Sequence, residues 1–220
     1  VTALTITVRR LLSELLAEYG DPRWWPGDTP FEIAVGAILT QRASWRNVEA
    51  AISELKARDL LSPDAMLAAG RRELESAIRP SGTYRQKAKY LLSFSRHLVN
   101  SYGGRIERMG ALPVDRLRTE LLELPGIGPE TADSIILYAL GKPSFVVDAY
   151  TLRLMQRLGI SAERSYGAVQ VFFEKALGSD VRSLALMHAL IVVHSKTRCR
   201  VVPDCRTCPL REHCLSVGED

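Results

Sequence analysis

No cysteine occurs in the first 198 residues of this 220-residue chain, and no apolar run is long enough to span a bilayer. The longest, Leu184 to Val193, is short and carries His188 inside it. These two absences exclude a disulfide framework through the body of the chain and a helical membrane protein. Where a secretory leader would have an apolar centre, the first twenty residues carry Arg9, Arg10, Glu14 and Glu18 at helical spacing. The expectation is therefore a cytoplasmic protein with no membrane partner. No repeat of solenoid period and no low-complexity segment is present. One strand-like run, Ser144 to Val147, has nothing to pair with, which argues against a sheet. Apolar residues at 46% and charged residues at 25% exclude a disordered chain. Lys plus Arg is 29 against 25 Asp plus Glu, a net charge of +4 with a pI near 9.0. That surplus is compatible with a polyanionic partner without requiring one.

Apolar residues recur at three- and four-residue steps almost throughout. Leu4, Val8, Leu11, Leu12, Leu15 and Leu16 mark a first amphipathic helix that stops at Gly20. Thr29-Pro30 and Ser62-Pro63 each read as an N-cap with proline at the first helical position, and Ser44 caps a helix between them. A longer helix runs from about Tyr84 to Tyr102 and ends at Gly103-Gly104. After a loop to Pro113, helices are expected at 114–122, 129–140, 149–158, 166–177 and 180–195. The fold class is all-α, with around ten helices.

The most informative stretch starts at Leu124-Pro125-Gly126-Ile127-Gly128, followed by Pro129-Glu130-Thr131-Ala132. Two glycines allow a tight turn and close backbone approach, and Pro129 suits the start of a helix. The N–H groups of such a turn form an anion site suited to a phosphate, although a plain connecting loop has the same composition. Twenty residues past Gly128 lies Asp148, in Val146-Val147-Asp148-Ala149-Tyr150, where a carboxylate caps a helix or faces a bound nucleic acid. All four cysteines crowd into Cys199-x5-Cys205-x2-Cys208-x5-Cys214. Four thiolates in sixteen residues wrap one metal centre, and on chemistry alone zinc and an iron–sulfur cluster are both admissible.

Leu124 to Ala132 followed by Val147-Asp148 resembles the helix–hairpin–helix, Gly/Pro-rich loop and aspartate signature of the endonuclease III superfamily of DNA glycosylases. The cysteine pattern and the Gln41 segment extend the resemblance over essentially the whole chain. It implies a two-domain fold: a six-helix domain over 23–142, with the hairpin at about 116–140, and a discontinuous helical domain made of 1–22 plus 143–220 with the cysteine loop at 199–214. It also implies a DNA-facing cleft between them with Asp148 at its mouth, and a four-iron, four-sulfur cluster held by Cys199, Cys205, Cys208 and Cys214, zinc being the alternative. The family's commoner first gap between cysteines is one residue longer.

In that family the signature carboxylate acts on the N-glycosidic bond of a flipped nucleotide, the role implied for Asp148. Members that also cut the strand carry a lysine in the second hairpin helix. Here Glu130 stands at that position, and a carboxylate cannot form an imine with the sugar aldehyde. The implied enzyme is a monofunctional glycosylase with weak or absent strand cleavage, acting on damaged DNA as a monomer, close to the nucleoid in a bacterial or archaeal cell.

The implied DNA contacts are Gly126, Ile127, Gly128 and Thr131 of the hairpin, Gln41 as the residue that fills the gap left by the base, and Lys87 near the start of its helix. A solvated helix face explains Lys87 equally well. The three tryptophans, Trp24, Trp25 and Trp45, are core residues or base-binding ones. Trp24-Trp25-Pro26, Phe31-Glu32 and Gly36 to Gln41 are similar to the 3-methyladenine glycosylase branch, whose aromatic residues from these places sandwich the base. An alkylated purine is cationic, so indole faces hold it by stacking and cation–π attraction, and it departs as a neutral base with little need for an acid. Competing functions are excision of oxidised pyrimidines or mismatched bases, and a non-catalytic lesion-binding module.

Overall fold

The computed structural model describes residues 6–25, 27–160 and 165–217. Among them are eleven α-helices and no strand. Ser144 to Val147 has no regular secondary structure and forms no ladder. The chain divides into two compact units, one of residues 25–142 and one of residues 1–24 with 143–220.

The contiguous unit contains α2 (Pro30–Leu39), α3 (Trp45–Ala57), α4 (Pro63–Ala77), α5 (Tyr84–Tyr102), α6 (Ile106–Met109), α7 (Val114–Leu122) and α8 (Pro129–Ser134). Its helix starts follow the local chemistry of the sequence. Thr29, Ser44 and Ser62 each accept a bond from the backbone N–H three residues on, and Pro30 and Pro63 occupy first positions. α2 is buried nearly all round because its sequence is apolar on every face. Phe31 of α2 lies parallel to Phe94 of α5, with ring centroids 6.2 Å apart, inside a core that also takes in Ile38, Leu55, Leu74 and Ile136.

Three features depart from the expected pattern. α4 is bent at Gly70, whose φ of 73° no other residue type adopts readily. The helix expected over 129–140 passes into a π-helical turn, Ile135–Ala139, and such turns cluster at functional places. α6 lies in what reads from the sequence as loop.

The second unit contains α1 (Val8–Tyr19), α9 (Ala149–Leu158), α10 (Tyr166–Leu177) and α11 (Val181–Thr197). Leu4, assigned above to the first helix, lies outside the described residues; α1 begins at Val8 with Thr7 as its cap. Leu11, Leu15, Leu154, Phe173, Leu184 and Met187 fill the core. Phe145, from the segment before α9, stacks on Phe173 of α10 at 4.1 Å. Phe145 N–H donates to Glu174, and Gln170 donates to Phe145 O, so the segment leading to Asp148 is pinned from α10.

Candidate functional site

In the hairpin, α7 and α8 are joined by a turn through Gly126, whose φ is 80°. A Cβ there would meet the Tyr90 ring at 2.3 Å, so glycine is required twice over, by conformation and by packing. Ile127 is buried and its N–H bonds Leu124 O, while Gly128 is exposed. Arg118 of α7 donates from Nε and Nη2 to Asp133 of α8, a fully buried carboxylate, and so locks the two helices at a fixed separation. Gln41, in the loop after α2, donates to Gly126 O at 2.8 Å and to Thr131 Oγ1 at 3.0 Å. Thr131 is buried and takes part in that bond, and Glu130 is exposed.

Lys87 does not stand where a DNA contact was expected. Its ammonium is buried and donates to Leu39 O at 2.8 Å and Ser81 O at 2.7 Å, tying the end of α2 and the turn before α5 together. Burial pushes its pKa down to about 8. The sequence shows only a lysine between two other cations; that it points inward depends on acceptors 48 and 6 residues away.

Trp25 and Trp45 meet edge to face with centroids 5.7 Å apart, and Trp25 stacks on Tyr138 at 4.8 Å and 22°. Trp25 has a φ of 67°, an outlier for a bulky side chain and the kind of strain that collects at binding sites. Its indole N–H is buried with no acceptor among the described residues. The two tryptophans line a cavity of about 390 Å³ with Gly36, Asp28, Glu32, Glu49 and Lys56. Trp45 Nε1 donates to Glu49, and Lys56 pairs with Asp28 and Glu32, so carboxylates outnumber cations in the lining. Trp24 belongs to the other unit, where the Lys196 ammonium sits 5.5 Å from its ring and 5.9 Å from that of Tyr150. Neighbours in sequence are thus divided between two aromatic clusters, and Tyr138, which completes one of them, carries no sequence signal.

Asp148 is the N-cap of α9. Its Oδ1 accepts from Thr151 N at 2.7 Å and from Thr151 Oγ1 at 2.8 Å. Its Oδ2 faces His188 Nε2 of α11 at 3.5 Å. Burial pushes the Asp148 pKa up, but His188 and the two Thr151 bonds outweigh that and hold the carboxyl below its ordinary value. A buried carboxylate held below its ordinary pKa suits stabilisation of positive charge on a reacting atom.

The four cysteines line one cavity with Leu154, Leu158, Leu210, Arg157 and His194. Arg157 Nη1 lies 3.2 Å from Cys199 Sγ and donates to Arg200 O, while Arg157 Nη2 donates to Val201 O. Cys214 Sγ donates to Arg157 O, and His194 Nε2 is 3.9 Å from Cys208 Sγ. Arg153, one turn earlier on α9, donates to Cys199 O and Ser195 O. Neither arginine stands out in the sequence, which shows them only as the basic face of a helix. Burial raises the thiol pKa of Cys208 and Cys214. Among the described residues no three His, Cys, Asp or Glu side chains converge closely enough to hold a single metal ion. Of the basic groups in this loop, Arg198 and Arg206 pair with Asp204, and Arg211 donates to Cys205 O.

Comparison with known proteins gives one consistent result. Residues 35–178 match the family model described as HhH-GPD superfamily base excision DNA repair protein. The chain is 46% identical over 212 residues to a Methanocaldococcus jannaschii protein named "Putative DNA repair glycosylase", covering 95% of this chain and 96% of that one. Endonuclease III in a non-covalent complex with DNA superposes with a TM-score of 0.81 at 26% identity, covering 96% of each chain. The H. pylori 3-methyladenine DNA glycosylase bound to 1,N6-ethenoadenine superposes with a TM-score of 0.74 at 31% identity, covering 86% of this chain and 95% of that one.

Proposed function

Since the chain belongs to the HhH-GPD superfamily and is a DNA repair glycosylase with the all-α fold of endonuclease III, we propose that it hydrolyses the N-glycosidic bond of alkylated purines such as 3-methyladenine. The observation that carries the substrate class is the cavity lined by Trp25 and Trp45 together with Asp28, Glu32 and Glu49. An N3- or N7-alkylated purine is a flat cation. Indole faces bind it by stacking and cation–π attraction, worth about 1–2 kcal/mol when desolvated, and surplus carboxylates favour its charge. A neutral base gains only the stacking.

In this mechanism the nucleotide leaves the duplex and its base enters the aromatic cavity. The C1′–N bond breaks with its electron pair going to the base, which departs neutral because it was already cationic. Positive charge develops on the sugar, and Asp148 stabilises it through Oδ2, the oxygen not engaged in capping α9. Water adds at C1′ and gives up a proton to that carboxylate, leaving an abasic site. With Glu130 in the hairpin position there is no amine to attack the sugar aldehyde, so strand cleavage is weak or absent. The turn at Gly126, Ile127 and Gly128 holds a backbone phosphate. Gln41 fills the space left by the base after leaving its two bonds to the hairpin.

The resemblance favours a four-iron, four-sulfur cluster over zinc at the four cysteines, which line one cavity. Zinc would take four thiolates on one ion, whereas a cubane takes each thiolate on a different iron. A bound cluster would supply a cross-link for the loop, and Cys199, Cys205, Cys208 and Cys214 would hold it. The enzyme acts as a monomer on damaged DNA in the cytoplasm, at the nucleoid of a bacterial or archaeal cell.

The test is release of bases from methylated duplex DNA, separated by chromatography, with strand nicking followed in parallel. Release of 3-methyladenine or 7-methylguanine without nicking is expected. No alkylpurine released, with oxidised or mismatched bases released instead, would discard the substrate while keeping the fold and Asp148.

A further inference from the structure

Asp148 divides its two oxygens between two tasks. Oδ1 is committed to α9 through Thr151 N and Thr151 Oγ1, at 2.7 and 2.8 Å. That geometry is what any capping aspartate has, and it accounts for the position of the carboxyl group but not for its second oxygen. Oδ2 faces the one polar side chain in the apolar stretch Leu184 to Val193, His188, whose Nε2 is 3.5 Å away. The imidazole is 4% exposed, and Phe145 meets it edge on with centroids 6.4 Å apart. An apolar side chain would serve the packing of α11 at this place. A buried imidazole aimed at a buried carboxylate serves something else.

We infer that His188 is a positioning residue for the glycosylase reaction: from α11 it fixes Oδ2 of Asp148, the oxygen left over from capping α9, in a buried site. The inference rests on the glycosylase function proposed above, with Asp148 as the group that faces the sugar. At 3.5 Å the contact is a long one, so it orients the carboxylate while leaving Oδ2 able to receive a proton from water.

The other charged groups around this place are engaged elsewhere. On α10, Glu174 accepts from Phe145 N–H and Tyr166 from Val147 N–H. On α9, Arg153 donates to Cys199 O and Ser195 O. On α11, Lys196 lies against Trp24 and Tyr150. His188 is the side chain that faces Oδ2 of Asp148 among the described residues, and its contact there opposes the cost of burial.

The sign of the expected effect follows. Without His188 the buried carboxyl binds a proton more readily, so the acid limb of the rate profile moves to higher pH. The experiment is single-turnover base release by wild type, His188→Leu and His188→Gln across the acid range. It is combined with carbon-13 titration of the Asp148 carboxyl, assigned by Asp148→Asn. His188→Leu is expected to lose about ten-fold in rate near pH 5 and less than about two-fold near pH 8, with DNA affinity unchanged. His188→Gln, which keeps an N–H donor, recovers part of the loss. The Asp148 carboxyl titrates at higher pH in His188→Leu than in wild type. A rate lowered equally at every pH, or an unmoved carboxyl titration, overturns the inference. If His188→Leu does not fold, His188→Gln decides by the same two readouts. Wild-type protein that releases no base from any damaged DNA defeats the glycosylase function instead, and the carboxyl titration alone then decides whether His188 controls Asp148.

Discussion

Gln41 Nε2 lies 2.8 Å from Gly126 O, a bond that spans 85 residues of sequence and joins the loop after α2 to the turn of the hairpin. With the second bond to Thr131 Oγ1, both amide hydrogens of this side chain are placed on the hairpin. Gln41→Ala should therefore destabilise the protein by about 1–2 kcal/mol, the range for a part-buried amide with two acceptors. Thermal unfolding checks this: a midpoint lowered by about 2–8 °C is expected. An unchanged midpoint would show that the two bonds contribute nothing.

Lys87→Met separates a structural lysine from a DNA-binding one. Removing an ammonium that donates to Leu39 O and Ser81 O leaves two carbonyls without their donor, at a cost of about 2–3 kcal/mol. The variant should unfold earlier in urea, yet the slope of log DNA affinity against log salt should stay as in wild type. A slope reduced by about one contact would mean that Lys87 reaches a phosphate after all.

The tryptophans should not behave alike. Trp25→Ala and Trp45→Ala remove walls of the aromatic cavity, and each should slow alkylpurine release by about 5- to 30-fold, the equivalent of 1–2 kcal/mol. Trp24→Ala touches the Lys196 contact instead and should have a smaller effect. Glu49→Gln keeps the shape of the wall and removes a negative charge, so it should weaken release of cationic bases more than of neutral ones. Equal losses for both kinds of base would remove the charge argument.

How far the sequence was legible follows from the range of each interaction. The caps at Thr29, Ser44, Ser62 and Asp148 act within three residues, and their helices begin where the sequence puts them. The hairpin turn is equally local, since Gly126 needs a positive φ whatever surrounds it. Lys87, His188 and Tyr138 take their roles from partners on other elements, which no window of sequence contains. His188 did leave a trace, as a lone polar residue in an apolar stretch. The opposite fates of Trp24 and Trp25 depend on the strained φ of Trp25, a value its residue type does not announce.

Purified protein should contain iron and inorganic sulfide in equal amounts, bound by the cysteine loop. Cys208→Ser should lose most of the iron and expose the loop to protease, because only the hydrogen bonds from Arg153 and Arg157 and the helix end then hold its first residues. Zinc without sulfide would contradict the cluster.

Asp148 should also stabilise the fold in a pH-dependent way. Its folded pKa lies below the ordinary value, so its contribution is complete above that value and lost as the pH falls through the folded one. Asp148→Asn should therefore unfold with a flatter dependence on acid pH than wild type, measured by urea midpoints between about pH 3 and pH 7.

The most direct measurement compares base release by wild type and Asp148→Asn under single turnover, with DNA affinity measured on the same preparations. Wild type should release the base, and Asp148→Asn should be slower by about 10²–10³-fold while binding the same DNA as tightly. Equal release by the two proteins would contradict the assignment of Asp148. Equal inactivity with DNA binding intact would mark a lesion-binding module rather than an enzyme.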